Sequence, residues 1–390
     1  METGNHNEAA YWLALINHSG LKLAQIKPIA QQWHLMEGKS IAALFNLSAT
    51  ELSVRFSLTE AQAQGLLKAA DSHAAQVNLI KTWQAQGIEL ITLSHPHFPG
   101  RLIYALPPKQ QPLLLWARGS TQALLEPTVT FLGKPEPEPE TIAFVNDLLP
   151  ILVSENMGVV SGYGKGLDRI AFEGMLENNE GQAMAVLPMG LAAFAKLTQK
   201  LDQPVSEGRA VLLSPFPPDV PFKDNLAEAR NLLVDSLALA LLVPQVDTDS
   251  QPRAEAALER GMPVLVNVTD SPENRALIDK GAILMTDPGE VIDMVQQAII
   301  DDALQAELAQ TPASEAAPPI KAGGPPMLDG EDDYALGNEP VDPLAADEAL
   351  DILSSMGAVP DSLRERLQAI EEQQKLEAEE RREERKGEGE

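Results

Sequence analysis

The chain contains no cysteine among its 390 residues. Disulfide bonds, thiolate metal sites and cysteine nucleophiles are therefore excluded, and the composition fits a reducing compartment, so we expect a cytoplasmic protein. Aromatic residues make up only 4 % of the chain, so the core must consist mainly of leucine, isoleucine, valine and alanine. No apolar run approaches the roughly 18 residues that a spanning helix needs, and no membrane contact is expected.

Basic residues are also few. The chain has 29 lysines and arginines against 57 acidic residues, a net charge of −28. Residues 301–390 carry −16 of this charge, and the first 300 residues carry −12. A body this acidic is a poor non-specific binder of nucleic acid, because such binding depends on lysine and arginine displacing condensed counterions. A local basic groove is still compatible with the composition.

Histidine is confined to the first quarter of the chain, since all six histidines precede residue 98. A serine–histidine triad or a histidine-ligated zinc is therefore not expected further along, and we predict no cofactor, no metal and no catalytic residue. His95 and His97 flank Pro96, and we interpret them as part of a solvent-exposed loop because no third ligand lies nearby. The chain is accordingly not expected to be an enzyme.

Composition divides the chain into four regions. Residues 1–80 have helical spacing, with two S-x-x-E helix starts at Ser48/Glu51 and Ser57/Glu60, which favours a small helical domain of the SAM or helix-hairpin-helix kind. Residues 81–305 form the core, residues 306–342 are a proline- and acid-rich segment predicted to be a flexible linker, and residues 343–390 are predicted to be a charged helical tail. The acidic C-terminal part is thus expected to be disordered.

Short apolar runs alternate with helical segments through the core. Strands that are apolar on both faces and alternate with helices indicate a mostly parallel sheet covered on both sides, that is, a doubly wound, Rossmann-like α/β domain. The predicted strands are TVTFLG (128–133), GVVSG (158–162), AMAVLP (183–188), AVLLS (210–214), LALALLV (237–243), PVLVNV (263–268) and AILM (282–285).

The most specific motif is GVVSGYGKGLDRIAFEGML, residues 158–176, in which a buried strand leads through a glycine-rich loop into a helix. Glycines allow a backbone to approach an anion, and a helix N-terminus favours negative charge, so exposed loop amides are predicted to attract phosphate. The loop matches neither the dinucleotide fingerprint nor the P-loop. A PEPEPE segment (135–140) is interpreted as an extended connection with no binding role.

This motif resembles the DNA-processing protein A (DprA/Smf) family, whose loop reads S-G-x-A-x-G-I-D-x-x-A-H. The matching run here is Ser161 to Phe172. Further stretches are similar in the same order: HPHFPGRLIYALPPKQQPLLLWARG (95–119), GQAMAVLPMGL (181–191), Arg230-Asn231 and NRALIDKGAILM (274–285). The resemblance covers residues 1 to about 300.

The resemblance implies binding of single-stranded DNA along the carboxyl ends of the strands and loading of a RecA-type recombinase during transformation or recombination. Several basic or polar family positions differ here: Lys134 follows Gly133 where the family has serine or threonine and then arginine, and Leu232 replaces the second arginine of R-N-R. DNA binding is therefore expected to be weak and salt-sensitive. The DNA- or phosphate-binding residues carried over are Ser161, Gly162, Gly164, Lys165, Gly166, Arg230 and Asn231, with Lys134 in place of the arginine.

Two other functions stay open from the sequence. The crevice of a Rossmann-like module also suits a nucleotide or another phosphorylated small ligand, with the acidic tail contacting a protein partner. A nucleotide hydrolase would use Asp168 or Glu173 as its acid–base residue, although an aspartate at a helix start usually acts as a cap. A homodimer is a further open alternative.

Overall fold

The computed structural model describes residues 2–195, 199–267, 271–285 and 287–310. Its centre is a nine-stranded sheet with the order β1-β2-β6-β5-β4-β3-β7-β8-β9. Seven neighbouring strands, β3 to β9, are parallel, and β1 and β2 extend one edge through antiparallel pairing. The strands are β1 (Glu89–Thr92), β2 (Leu114–Gly119), β3 (Thr128–Gly133), β4 (Gly158–Ser161), β5 (Ala183–Val186), β6 (Ala210–Ser214), β7 (Leu241–Gln245), β8 (Val264–Asn267) and β9 (Ile283–Met285).

Helices cover both faces of this sheet, and the predicted α/β class is confirmed. They are α1 (Glu2–His18), α2 (Leu23–Ala30), α3 (Ile41–Leu44), α4 (Ala49–Phe56), α5 (Glu60–Lys68), α6 (His73–Ala85), α7 (Arg101–Tyr104), α8 (Pro139–Ser154), α9 (Leu167–Glu177), α10 (Leu191–Ala195), α11 (Asp202–Ser206), α12 (Asp224–Leu237), α13 (Gln251–Glu259), α14 (Pro272–Asp279) and α15 (Pro288–Gln310). Every residue of β4, β5, β6 and β7 is buried, as expected for strands packed on two sides.

Each predicted apolar run contains a strand, but one strand lies further along than predicted. The run at 237–243 was expected to form it, whereas α12 continues to Leu237 and the strand spans Leu241–Gln245. Pro244 is tolerated inside β7 because pairing with β8 ends at Val243 and pairing with β3 is irregular there. Strands β1 and β2 have no counterpart in the sequence prediction.

The N-terminal region is helical as predicted. Ser48 and Glu51 form the expected reciprocal cap of α4. The second predicted cap is wrong: α5 begins after Thr59, which pairs with Gln62, while Ser57 ends α4 in a left-handed conformation. The Trp12 indole donates to Ser94 Oγ at 2.6 Å, so these helices pack directly on the start of the core.

The prediction of an exposed histidine loop is also wrong for His95. This side chain is buried, and its Nε2 lies 3.1 Å from Glu89 Oε1, while His97 Nδ1 lies 2.9 Å from Thr121 Oγ1. These contacts show that His95 and His97 belong to the packing around β1. In the described ranges, no group of three or more histidine, cysteine or acidic side chains is arranged to hold a metal ion.

Helix α15 extends to Gln310, slightly beyond the core boundary predicted at residue 305. The predicted linker at 306–342 lies mostly outside the described residues, and the predicted charged tail at 343–390 lies wholly outside them. The domain division at residue 80, which falls inside α6, stays a prediction. None of the helices in the described ranges is long and apolar enough to cross a bilayer.

The strand order determines which loops lie next to each other at the candidate site. From β3 the chain builds β4, β5 and β6 on one side and then β7, β8 and β9 on the other, so β3 is central. In such a sheet the loops that follow the strands gather along one edge, at the carboxyl ends, with the crevice where the winding direction reverses. The loops after β3 (134–138) and β4 (162–166) are therefore neighbours.

Candidate functional site

The glycine-rich loop 162–166 is held by the first residues of α9. The Asp168 carboxylate accepts hydrogen bonds from the amides of Gly162 at 3.0 Å and of Gly164 at 2.9 Å. Ser161 Oγ accepts from the Tyr163 amide at 2.8 Å and donates to the Asp168 carbonyl at 3.0 Å. Three consecutive amides of the loop thus have partners within the chain.

These contacts correct the prediction that the loop amides are exposed to phosphate. At Gly162 and Gly164 the position expected for an anion is taken by the carboxylate of Asp168. A helix N-terminus stabilises a carboxylate for the same reason that it stabilises a phosphate, since both interact with the unpaired amides and the helix dipole. The loop is therefore closed by its own acidic residue.

Arg230 lies beneath this loop. It is only 7 % exposed, and its Nη1 donates to the carbonyl of Gly162 and, at 3.0 Å, to that of Val186. Burial lowers the pKa of the Arg230 guanidinium, and the nearby Asp168 opposes this shift. The side chain therefore ties the ends of β4 and β5 together. Asn231 follows it on α12 and is half-buried.

The loop glycines are required by packing. A Cβ at Gly162 would overlap the guanidinium of Arg230. Gly166 has a φ of +94°, and a Cβ there would overlap the carbonyl of Lys134, so this glycine lets the loops after β3 and β4 touch. The sequence signal for a phosphate loop is thus explained to a large extent by close approach within the protein.

The two predicted lysines are brought to the same edge, and each pairs with a glutamate. Lys165 Nζ lies 2.9 Å from Glu136 Oε1, and Lys134 Nζ lies 3.3 Å from Glu138 Oε1. The hydrogen bond from Lys165 lowers the pKa of Glu136. The hydrogen bonds that Glu138 accepts, first from Gln245 and then from Lys134, lower its pKa as well.

The interpretation of the PEPEPE segment as an inert extended connection is therefore wrong. Its last proline and glutamate, Pro139 and Glu140, already belong to α8, where proline is favoured in the first turn. Its other two glutamates neutralise the cations of the site, and with lowered pKa values they remain charged at neutral pH. This competition for the lysines is consistent with the weak anion binding that the sequence predicts.

Sequence reasoning missed Arg169. This exposed residue lies with its guanidinium 4.6 Å from the centre of the Tyr163 ring, and its Nη2 donates to the Tyr163 carbonyl at 3.1 Å. The Tyr163 hydroxyl donates to Glu173 Oε1 at 3.1 Å. Burial, followed by the charge of Glu173, raises the pKa of Tyr163. Arg169 falls on a position that the family motif leaves open, so the motif gave no signal for it.

The crevice between the ends of β3, β7 and β8 is a cavity of about 670 Å³. Its charged lining is mainly acidic, with four carboxylates and one lysine: Glu138, Glu140, Asp247, Glu273 and Lys134. A phosphate would meet repulsion there, so the reversal point of this sheet is not the favoured anion site. The cations that face solvent are instead next to β4, at Lys165 and Arg169.

The hydrolase hypothesis gains no support from this geometry. Asp168 is occupied by two loop amides and Glu173 by the Tyr163 hydroxyl, so each carboxylate already has a structural partner. The nucleotide-binding hypothesis is weakened for the same reason, because it depended on free amides at Gly162 and Gly164.

Comparison with known proteins identifies the relationship. A family model described as DNA recombination-mediator protein A matches residues 89–296, which is more than half of the chain. The chain belongs to this family. The match includes both loops of the candidate site and the α12 segment with Arg230, so the DNA-processing assignment concerns the region described above.

Curated relatives agree with this assignment. The protein Smf of Escherichia coli is 30 % identical over 153 residues, covering 37 % of this chain and 41 % of the relative. The protein Smf of Synechocystis is 25 % identical over 252 residues, covering 63 % and 60 %. The chain thus aligns with about half of the length of these relatives.

A solved structure supports the fold. The DNA processing protein A (DprA) of Streptococcus pneumoniae superposes with a TM-score of 0.56 at 21 % sequence identity, covering 74 % of this chain and 97 % of that protein. At this identity the likeness concerns the arrangement of the strands and helices, and it confirms the Rossmann-like architecture.

Proposed function

We propose that this protein binds single-stranded DNA weakly at the carboxyl edge of its sheet and delivers it to a RecA-type recombinase. The observation that carries the proposal is the placement of three cations at one edge, Lys134 and Lys165 on the loops after β3 and β4 and Arg169 in the first turn of α9, within the segment that matches the family. Phosphate binding needs such cations, and the chain's overall charge of −28 would otherwise repel a polyanion.

The geometry supports a shallow contact with phosphates on the outer face of the loop. Lys165 is 71 % exposed, so its ammonium can exchange Glu136 for a phosphate without leaving water. Arg230 is buried and acts indirectly, since it fixes the loop that presents Lys165. Ser161, Gly162 and Gly164 likewise shape the loop through Asp168 and Arg230.

Of the aromatic residues on the glycine-rich loop and α9, Tyr163 is the one available for contact with a base. Phe172 is completely buried, and its ring packs 5.2 Å from that of Tyr163. Stacking of a base on an aromatic ring strengthens binding to single strands with little dependence on sequence. Arg169 lies over the Tyr163 ring, so a base must displace this guanidinium or stack beside it.

Fluorescence anisotropy with a labelled oligo-dT tests the DNA proposal in the full-length chain. We expect binding that weakens with salt, and a Lys165→Gln variant that binds more weakly with a shallower salt dependence. Lys68→Gln removes the same charge from an exposed position on α5 and is the matched control, expected to have no effect. Absence of binding at low salt, or an equal loss in both variants, would contradict the proposal.

Delivery to a recombinase requires a separate measurement. A RecA-type recombinase hydrolyses ATP when it assembles on single-stranded DNA, so the lag before hydrolysis reports loading. We expect this chain to shorten the lag and the Lys165→Gln variant to shorten it less. An unchanged lag together with normal oligo-dT binding would remove the recombinase and leave DNA binding in place.

A further inference from the structure

A second cavity, of about 550 Å³, lies between the N-terminal helices and the edge of the sheet. It is bounded by α1, α2, α6, β2, the segment 215–217 and α12, and it is remote in sequence from the glycine-rich loop. Its floor consists of buried apolar side chains, among them Leu13, Trp83, Leu106, Trp116 and Leu233. Its volume and apolar lining are typical of sites for small organic ligands.

The rim of this cavity leaves apolar surface in contact with water. Leu23 is 53 % exposed and Leu79 is 37 % exposed, and both line the opening. A ligand with an apolar body would cover these side chains and the tryptophan rings, and the free energy gained is proportional to the apolar area removed from water.

One side chain restricts the chemistry of the ligand. Among the residues that the structure describes, Lys27 is the only charged one that lines the cavity. Its Nζ donates to the carbonyl of Lys109, and no carboxylate in the described part of the chain lies within ion-pair distance. Desolvation lowers the pKa of Lys27, as expected for an ammonium held against apolar groups without a counter-charge.

One of the three amide side chains that line the cavity, that of Gln111, is already used. Gln111 Nε2 donates to the carbonyls of Ile103 and Leu106, and its Oε1 accepts from Gln31. These hydrogen bonds hold the segment before β2 in place, so the Gln111 amide has little remaining capacity to bond to a ligand. The ammonium of Lys27 is therefore the charged group that a polar end of the ligand would meet, with the amides of Asn17 and Gln110 also in the lining.

We propose that this cavity binds a small amphiphilic molecule with an apolar body and a single carboxylate, which pairs with Lys27. The carboxylate would supply the missing counter-charge, and the apolar body would cover the rim leucines and the tryptophans. The site is independent of the DNA proposal, because none of its lining residues belongs to the loops after β3 and β4.

Decanoate, decanol and decylammonium, used below their aggregation concentrations, test this proposal in the full-length protein. Two of the four tryptophans line the cavity, so binding is followed by tryptophan fluorescence and by calorimetry. We expect decanoate to bind about tenfold more tightly than decanol, the scale of one partly desolvated charge-assisted hydrogen bond. Decylammonium is expected to bind more weakly than either.

Lys27→Met keeps the length of the side chain and removes its charge, and it should abolish the preference for decanoate while leaving decanol binding unchanged. Lys22→Met, at an exposed lysine that immediately precedes α2 and does not line the cavity, is the matched control and should retain the preference. Leu79→Asp at the rim should weaken decanoate binding without unfolding the protein, because this residue is partly exposed. Equal affinities for decanoate and decanol in the unmodified protein, or no binding of either, would overturn the proposal.

Discussion

Replacing Glu136 and Glu138 by glutamine removes the two carboxylates that pair with the lysines of the candidate site. The side chains of Glu136 and Lys165 are 85 % and 71 % exposed, and those of Glu138 and Lys134 are 58 % and 33 % exposed. A phosphate that approaches either lysine in the unmodified protein must displace a carboxylate. In the double variant it displaces only water and salt ions, so single-stranded DNA should bind more tightly.

The size of this effect follows from the exposure of the pairs. Exposed ion pairs are weak, so we expect an affinity gain of about two- to fivefold for each pair at low salt. Each phosphate neutralised on a single strand contributes about 0.7 to the slope of log affinity against log salt concentration. Two lysines that are free to contact phosphates should therefore bring the slope towards about −1.4, compared with a shallower slope in the unmodified protein.

The assay is fluorescence anisotropy with labelled oligo-dT over a salt series. Glu140→Gln, compared with the single Glu136→Gln variant, separates a local effect from a change in net charge, because Glu140 is exposed and pairs with neither lysine. An equal gain in both single variants would show that only the overall charge matters. Unchanged affinity in the double variant would refute the claim that these carboxylates compete with DNA.

Two further predictions concern the support of the loop, and a third concerns Tyr104 on α7. Arg230→Met should lower the free energy of unfolding in urea by about 3 kcal/mol, because two carbonyls lose their buried donor, and an unchanged stability would show that the guanidinium serves only a ligand. Gly162→Ala should lower the free energy of unfolding by about 1–3 kcal/mol, because the new Cβ would overlap Arg230. Gly164→Ala should lower it less, because its Cβ would lie 3.2 Å from Asp168 Oδ2. The reverse order would contradict the packing. Burial raises the pKa of Tyr104 to about 12. The stability that its neutral phenol provides is therefore complete below pH 10, and the free energy of unfolding falls by at most about 2–3 kcal/mol as the pH rises through 12. Tyr104→Phe should lose this pH dependence in urea titrations at pH 9 to 12.

The parallel sheet could be predicted because its strands are buried on both faces and therefore appear as continuous apolar runs. Strands β1 and β2 are different. They pair with each other across a long connection, residues 93–113, that contains five prolines, and no hydrophobic periodicity indicates them. The family motif located the correct loop. It could not show that Asp168 occupies the loop amides, although an aspartate in the first turn of the following helix was a usable signal.

The electrostatics of the site depended on tertiary contacts that no local pattern contains. Glu136 precedes Lys165 by 29 residues, and they meet only because β3 and β4 are adjacent and parallel. Arg230 was predicted to face a phosphate, whereas it is buried because α12 crosses behind the ends of β4 and β5. Its predicted role as a direct DNA ligand stays untested, and the structure gives it a supporting role in addition.

The most direct measurement is amide hydrogen exchange of the full-length protein with and without oligo-dT. We expect slower exchange in residues 134–138 and 163–169 when DNA is bound, with little change in the helices of residues 2–85. Saturating DNA binding that protects the N-terminal helices and leaves both loops unchanged would contradict it.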